Sequence, residues 1–198
     1  MSTRQRILDV ASVQFAARGL HGTRVRDLCT AADVNIAAVN YHFGDKASLY
    51  AQVLLDAYQS LADAPMPTLA DADPVDALHA WVLWYVRRLT ASDAQLVDRL
   101  MVHERSNPTG AMEQLVQRGM QPVFDALRDI IAAVGNESLD QQSVSRIALS
   151  VVGQCLIYRG STGLLEQLEG VPSSNPEAIA DHVTTMTIAG IRQAAGVS

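Results

Sequence analysis

The sequence predicts an all-α protein, with a head of three short N-terminal helices followed by a larger helical body. Three observations predict it. Apolar residues recur at helical spacing, as in Ile7, Leu8, Ala11 and Phe15. Aromatic residues are only 5% of the chain and alternating β-branched runs are few. Glycine and proline punctuate the periodic stretches, at Gly19, Gly44, Pro65, Pro67, Pro108 and Gly135. At 198 residues the chain is long enough for a small head on a bigger body. The boundaries read as 1–46 for the head, 46–62 for a connecting helix and 68–198 for the body.

In the head, Thr3 is placed to cap a first helix running to about Arg18. Its buried stripe would be Ile7, Leu8, Val10, Ala11, Phe15 and Ala17, with Gly19 ending it. Thr23 is the cap candidate for a second helix, with Val25, Leu28, Cys29 and Ala32 inward. Asp33-Val34-Asn35 forms the turn, and Asn35 caps a third helix from Ile36 to Phe43 that Gly44 ends. Two short helices around a tight turn make a helix-turn-helix, whose second helix enters the major groove of DNA. With Ile36, Val39 and Phe43 inward, the outer face carries Asn35, Ala37, Ala38, Asn40, Tyr41 and His42. Asn40 suits an adenine edge, and Ala37 and Ala38 suit thymine methyl groups. Tyr41, His42, Lys46 and the Thr23 hydroxyl suit phosphates. Read blandly, the same polar face is solvated surface on an ordinary helix pair.

Charge supports a local DNA contact. The net charge of −6 argues against nucleic-acid binding over the whole surface. Residues 1–46 nevertheless carry +2 and the rest −8. An acidic body with a basic head favours contact through the head alone. Cys29 and Cys155 lack metal-ligand spacing and read as reduced core thiols. Neither a secretory leader nor an apolar run of membrane-spanning length is seen, so a cytoplasmic protein without membrane association is expected. No cofactor, metal or catalytic constellation is indicated. His103 with Glu104 is the best acid–base pair, but no nucleophile accompanies it.

The stretch ILDVASVQFAARGLHGTRVRDLCTAADVNIAAVNYHFGDKASLY resembles the DNA-binding domain of the tetracycline-repressor-like (TetR) family. The features that carry the resemblance are Phe-Ala-x-x-Gly at a helix end, Gly-Thr before the second helix, and Tyr-His-Phe-x-x-Lys-x-x-Leu after the recognition helix. Two positions depart from the pattern: Asp33 stands where the family usually has Gly, and Asn35 where it often has Ser or Thr. The resemblance implies a homodimeric transcriptional repressor on double-stranded operator DNA, released by a small-molecule inducer. It also implies DNA contacts at Thr23, Asn35, Ala38, Tyr41, His42 and Lys46, with Ala37 and Asn40 at positions that vary with operator sequence. VHERSNPT (102–109), together with NYHFGDK, is similar to the CecR-like subgroup.

Asp45 caps the connecting helix, and Asp73-Pro74 opens the body with proline at the first helical position. The helix to about Ala91 carries Trp81, Trp84 and Tyr85, which either pack in the core or line a ligand pocket. Helix 94–105 ends in His103, Glu104 and Arg105, which satisfy the helix end or face a cavity with Met101. A long helix 110–134 carries Met120 and Phe124, and Pro122 should kink it. The helix at about 141–168 is apolar on more than one face and is expected to break near 160–163. Gln154, Tyr158 and Arg159 are its candidate ligand groups. With the helix at 177–194 it would form a homodimer interface of four helices. The alternative is a small-molecule binding protein without DNA-binding activity, consistent with Asp33 and the modest charge of the head.

Overall fold

The computed structural model describes residues 2–61, 64–70, 72–91, 94–136, 138–159, 167–170 and 175–194. Its helices are α1 (Thr3–Gly22), α2 (Val25–Ala32), α3 (Ile36–Phe43), α4 (Lys46–Gln59), α5 (Pro74–Thr90) and α6 (Ala94–Ser106). They continue as α7 (Ala111–Leu115), a π-helical turn (Val116–Met120), α8 (Gln121–Val134), α9 (Gln141–Leu156) and α10 (Pro176–Ala194). The described residues contain no strand. The chain forms two compact units, one of 1–61 with 92–121 and one of 62–91 with 122–198. Residues 94–121, from the middle of the chain, therefore pack with the N-terminal helices.

In the first unit α1 is the central helix, packed on α2, α3, α4 and α6. Ile7, Ala11 and Phe15 are fully buried, and the Phe15 ring meets Tyr50 of α4 edge-on at 5.0 Å. The stripe is narrower than its periodicity predicts: Val10 is half-buried and Ala17 exposed. Ser2, not Thr3, caps the helix, accepting a hydrogen bond from the Gln5 N–H. Gly19 interrupts α1 with φ 66° and ψ −177°, and one more turn follows to Gly22. An L side chain rarely reaches that backbone region, so glycine is required there. His103 of α6 fills the space beside it, its Nδ1 3.0 Å from where a Cβ would stand.

Asp33 takes the left-handed conformation that the turn demands, with φ 50° and ψ 55°. Its N–H is donated to the Cys29 and Thr30 carbonyls and closes α2. A short polar side chain tolerates this conformation better than most, but glycine tolerates it better still. Asp33→Gly is therefore expected to stabilise the protein by about 0.5 kcal/mol, a modest gain because glycine also loosens the unfolded chain. A higher urea midpoint at unchanged slope would register it.

The caps at Asn35, Asp45 and Asp73 form as the sequence predicts. Their side chains accept from the N–H groups of Ala38, Ser48 and Val75 at 2.9, 2.7 and 2.8 Å. The bond from Ser48 holds the Asp45 carboxyl below the usual carboxylate range.

The expected single helix 110–134 is instead two helices joined by the π-helical turn. Proline at 122 has no N–H for the Arg118 carbonyl four residues earlier, and the widened turn relieves the crowding of its ring. The Gln59 side chain reaches that carbonyl at 3.5 Å. Gly119 in the same turn lets the chain come close to Tyr58 of α4.

In the second unit α5, α9 and α10 pack on one another around Leu78, Trp81, Val82, Ala148, Val151 and Val183, and Leu127, Ile130 and Ile131 of α8 share this core. α9 ends at Leu156, well short of the expected 168, and residues 157–159 form a turn. The break expected near 160–163 lies outside the described residues. Cys29 and Cys155 are both buried free thiols, and burial pushes Cys155 up to about 12. At pH 8 its thiolate fraction is then roughly 10⁻⁴. Iodoacetamide is expected to label it only when denaturant opens the fold; fast labelling of Cys155 in the native protein would contradict this burial.

Candidate nucleic-acid interface

The exposed side of α3 is the candidate site. Val39 anchors the helix at 1% exposure, and this seats the opposite face outward. Ala37, Asn40 and Tyr41 are exposed, Tyr41 at 85%. Ala38 and His42 are half-buried, and the His42 ring lies 5.1 Å from Tyr41 and 6.2 Å from Phe43. Asn35 is exposed, but its side-chain oxygen is held by the cap.

Ile36 departs from the expected inward position and is 45% exposed. Helical side chains lean toward the N-terminus, so a first-turn residue points past the start of its helix and beyond its packing partners. Ile36 borders a shallow groove shared with Arg26, Thr30 and Asn35. Periodicity alone places it with Val39 and Phe43; its position at the first helical residue is the signal against that.

Thr23 and Lys46, expected at phosphates, are used inside the protein. Thr23 is 1% exposed, and its hydroxyl donates to the Gly19 carbonyl at 2.9 Å. Arg24 therefore precedes α2 in the cap position, with no side-chain cap. Lys46 Nζ donates to the Leu20 and Thr23 carbonyls at 2.8 and 3.0 Å. This clasp ties the start of α4 to the last turn of α1 and the residue that follows it. The exposed cations of the head are Arg4, Arg18, Arg24 and Arg26. Arg4 sits over the Phe43 ring at 5.3 Å, and Arg18 faces Asp27 at 3.8 Å.

The residues expected to hold a ligand divide between the units. Met101, His103, Arg105 and Met120 belong to the first, and Trp81, Trp84, Tyr85, Phe124, Gln154, Tyr158 and Arg159 to the second. His103 hydrogen-bonds through Nε2 to the Ala16 carbonyl at 3.2 Å, and Arg105 is exposed. Glu104 is buried at 2%, its carboxylate accepting from the Thr109 N–H and hydroxyl at 3.1 and 2.9 Å. Burial and then the Glu104 charge push the Tyr50 hydroxyl well above its ordinary range. On α5 Trp81 stacks on Tyr85 at 4.8 Å, and Trp84 lies tilted beside both with its indole N–H donated to the Ala64 carbonyl. Among the described residues no helix is long and apolar enough to cross a membrane, and no cluster is placed to hold a metal ion.

Three N-terminal helices with this exposed α3 define a helix-turn-helix DNA-binding protein. Residues 7–53 match the family described as bacterial regulatory proteins, tetR family. Residues 74–191 match the C-terminal domain of the HTH-type transcriptional dual regulator CecR. The HTH-type transcriptional repressor NicS of Pseudomonas putida is 27% identical over 198 residues, covering 96% of this chain and 91% of NicS. Among solved structures, a tetR-family regulatory protein from Rhodococcus RHA1 shares the fold with a TM-score of 0.65 at 18% identity, covering 96% of this chain and 97% of that one. AibR in complex with isovaleryl coenzyme A and operator DNA does so with a TM-score of 0.60 at 20% identity, covering 93% and 97%. The chain belongs to the TetR family of transcriptional regulators, with a C-terminal domain of the CecR type. It is a DNA-binding, ligand-responsive regulator of transcription.

Proposed function

We propose that the chain represses transcription in the cytoplasm as a homodimer, placing two copies of α3 in successive major grooves of a palindromic operator. The observation that carries this reading is the exposed face of α3, formed by Ile36, Ala37, Asn40 and Tyr41 over a buried Val39. Asn40 is assigned to an adenine edge, Ile36 and Ala37 to thymine methyl groups, and Tyr41 to a phosphate. Arg24 and Arg26 replace Thr23 and Lys46 as the assigned phosphate contacts.

The assigned dimer face is on α9 and α10. Leu149, Leu156 and Met186 are exposed there, and a Cβ added at Gly153 or Gly190 would meet nothing within 4 Å in the single chain. Exposed apolar residues beside small ones suit close helix–helix packing across a two-fold axis. The effector is assigned to the second unit, with Trp81, Trp84, Tyr85 and Phe124 as its wall and Gln154, Tyr158 and Arg159 as polar groups. It releases DNA only to the extent that it binds the non-binding conformation more tightly.

A gel-shift titration on the DNA upstream of the coding region tests the reading, with affinity expected to fall steeply as salt rises. Absence of any specific shift at moderate salt would contradict it. The Ile36 assignment has its own test. Ile36→Ala is expected to weaken binding about fivefold on thymine-containing operator, and far less where uracil replaces the contacted thymine. An equal loss on both duplexes would remove the methyl contact.

A further inference from the structure

The second unit buries hydrogen-bond donors without giving them acceptors. The Trp81 indole N–H is 0% exposed and has no partner, although Trp84 beside it is satisfied. The Thr184 hydroxyl on α10 is unpartnered in a residue 6% exposed, whereas that of Thr187, one turn on, bonds to the Val183 carbonyl at 2.7 Å. The Nε of Arg128 on α8 is likewise buried without an acceptor, while Nη1 of the same guanidinium reaches Asp125. Two of these three groups can only donate, and the third donates as readily as it accepts. Buried donors are ordinarily paired, because leaving one bare forfeits its hydration with nothing in return.

Trp81 and Thr184 stand on the neighbouring helices α5 and α10. The two helices run antiparallel, joined by His79–Asp181 at 2.9 Å and Arg87–Glu177 at 2.6 Å. Counting at about 1.5 Å per residue, Trp81 and Thr184 are offset along the helix axes by about 7–8 Å from the first of these pairs and by about 1–2 Å from the second. Trp81 stacks on Tyr85, one turn further along α5.

We infer that the effector is a small carboxylic acid with a flat or cyclic apolar body. Its ring lies against the α5 aromatics and its carboxylate oxygens accept from Trp81 and Thr184. A carboxylate offers two charged acceptor oxygens on one carbon, which matches a site of donors better than a neutral carbonyl, and an amine brings only more donors. The inference rests on the second unit being the effector-binding half.

Both tryptophans of the chain are on α5, so indole emission reports on this site alone. The probes are benzoate, phenylacetate and cyclohexanecarboxylate, set against benzylamine and benzyl alcohol, with the full-length protein. The acids are expected to quench the emission and raise the melting temperature, and the amine to do neither. Thr184→Val keeps the side-chain shape and removes the hydroxyl. It is expected to weaken phenylacetate roughly tenfold while the ligand-free melting temperature holds or rises. Trp81→Phe, read through Trp84, should show a comparable loss of acid affinity. Equal binding of the amine, or unchanged acid affinity in both variants, overturns the acid assignment and leaves the effector half in place. If no acid and no amine perturbs the emission or the melting temperature, the effector half falls with it.

Discussion

Replacing Asn40 and Tyr41 together by alanine is expected to lower operator affinity about 10³-fold and leave the fold intact. The loss follows from what the two side chains are placed to do. An amide paired with an adenine edge contributes about 1–3 kcal/mol of discrimination, and a phosphate hydrogen bond adds about 1 kcal/mol. In a symmetric dimer each loss is taken twice, which makes a thousandfold change, about 4 kcal/mol, a moderate expectation. The fold should not notice, because both residues are exposed, Tyr41 at 85%, and substitutions at such positions stay within about 0.5 kcal/mol. Binding to unrelated DNA should change much less, since phosphate contact by the head's arginines is indifferent to sequence. Competition gel shifts with specific and random duplexes, beside circular dichroism melts, measure both. Full affinity in the double variant would move the reading face away from α3.

The largest expected effect on stability is at Gly19. Gly19→Ala forces an L side chain into a backbone region that costs about 1–3 kcal/mol. The new methyl would also lie 3.0 Å from Nδ1 of His103, an overpacking that costs about 1–3 kcal/mol more. A loss of about 3 kcal/mol is expected, or roughly 10 °C in melting temperature. Adding His103→Ala should return the collision part and leave the backbone part. If the single variant melts with the parent protein, the break in α1 is not built as described.

What was legible in the sequence was local. Asn35, Asp45 and Asp73 cap their helices because a cap depends on residues two or three positions away. The left-handed Asp33 follows from the tight turn around it. What was not legible depends on distant residues. Lys46 and Thr23 read as phosphate contacts, and Thr23 also as a cap, but their polar atoms find carbonyls up to 26 residues away. Helical spacing cannot say that α6 docks on α1 and α4, so it leaves His103 between the helix end and a cavity and gives no sign of Ala16 and Gly19 beside it. Pro122 signalled a distortion, but its form, a π-helical turn with Gly119 against Tyr58, depends on what packs there.

Selection of binding sites from a pool of random duplex DNA by the purified protein tests the central claim most directly. Two identical reading helices on a two-fold axis predict an inverted repeat, its half-sites centred one helical turn, about 10–10.5 base pairs, or a whole multiple of it apart. Recovery of a single unrepeated site, or of no consensus, would contradict a paired reading head.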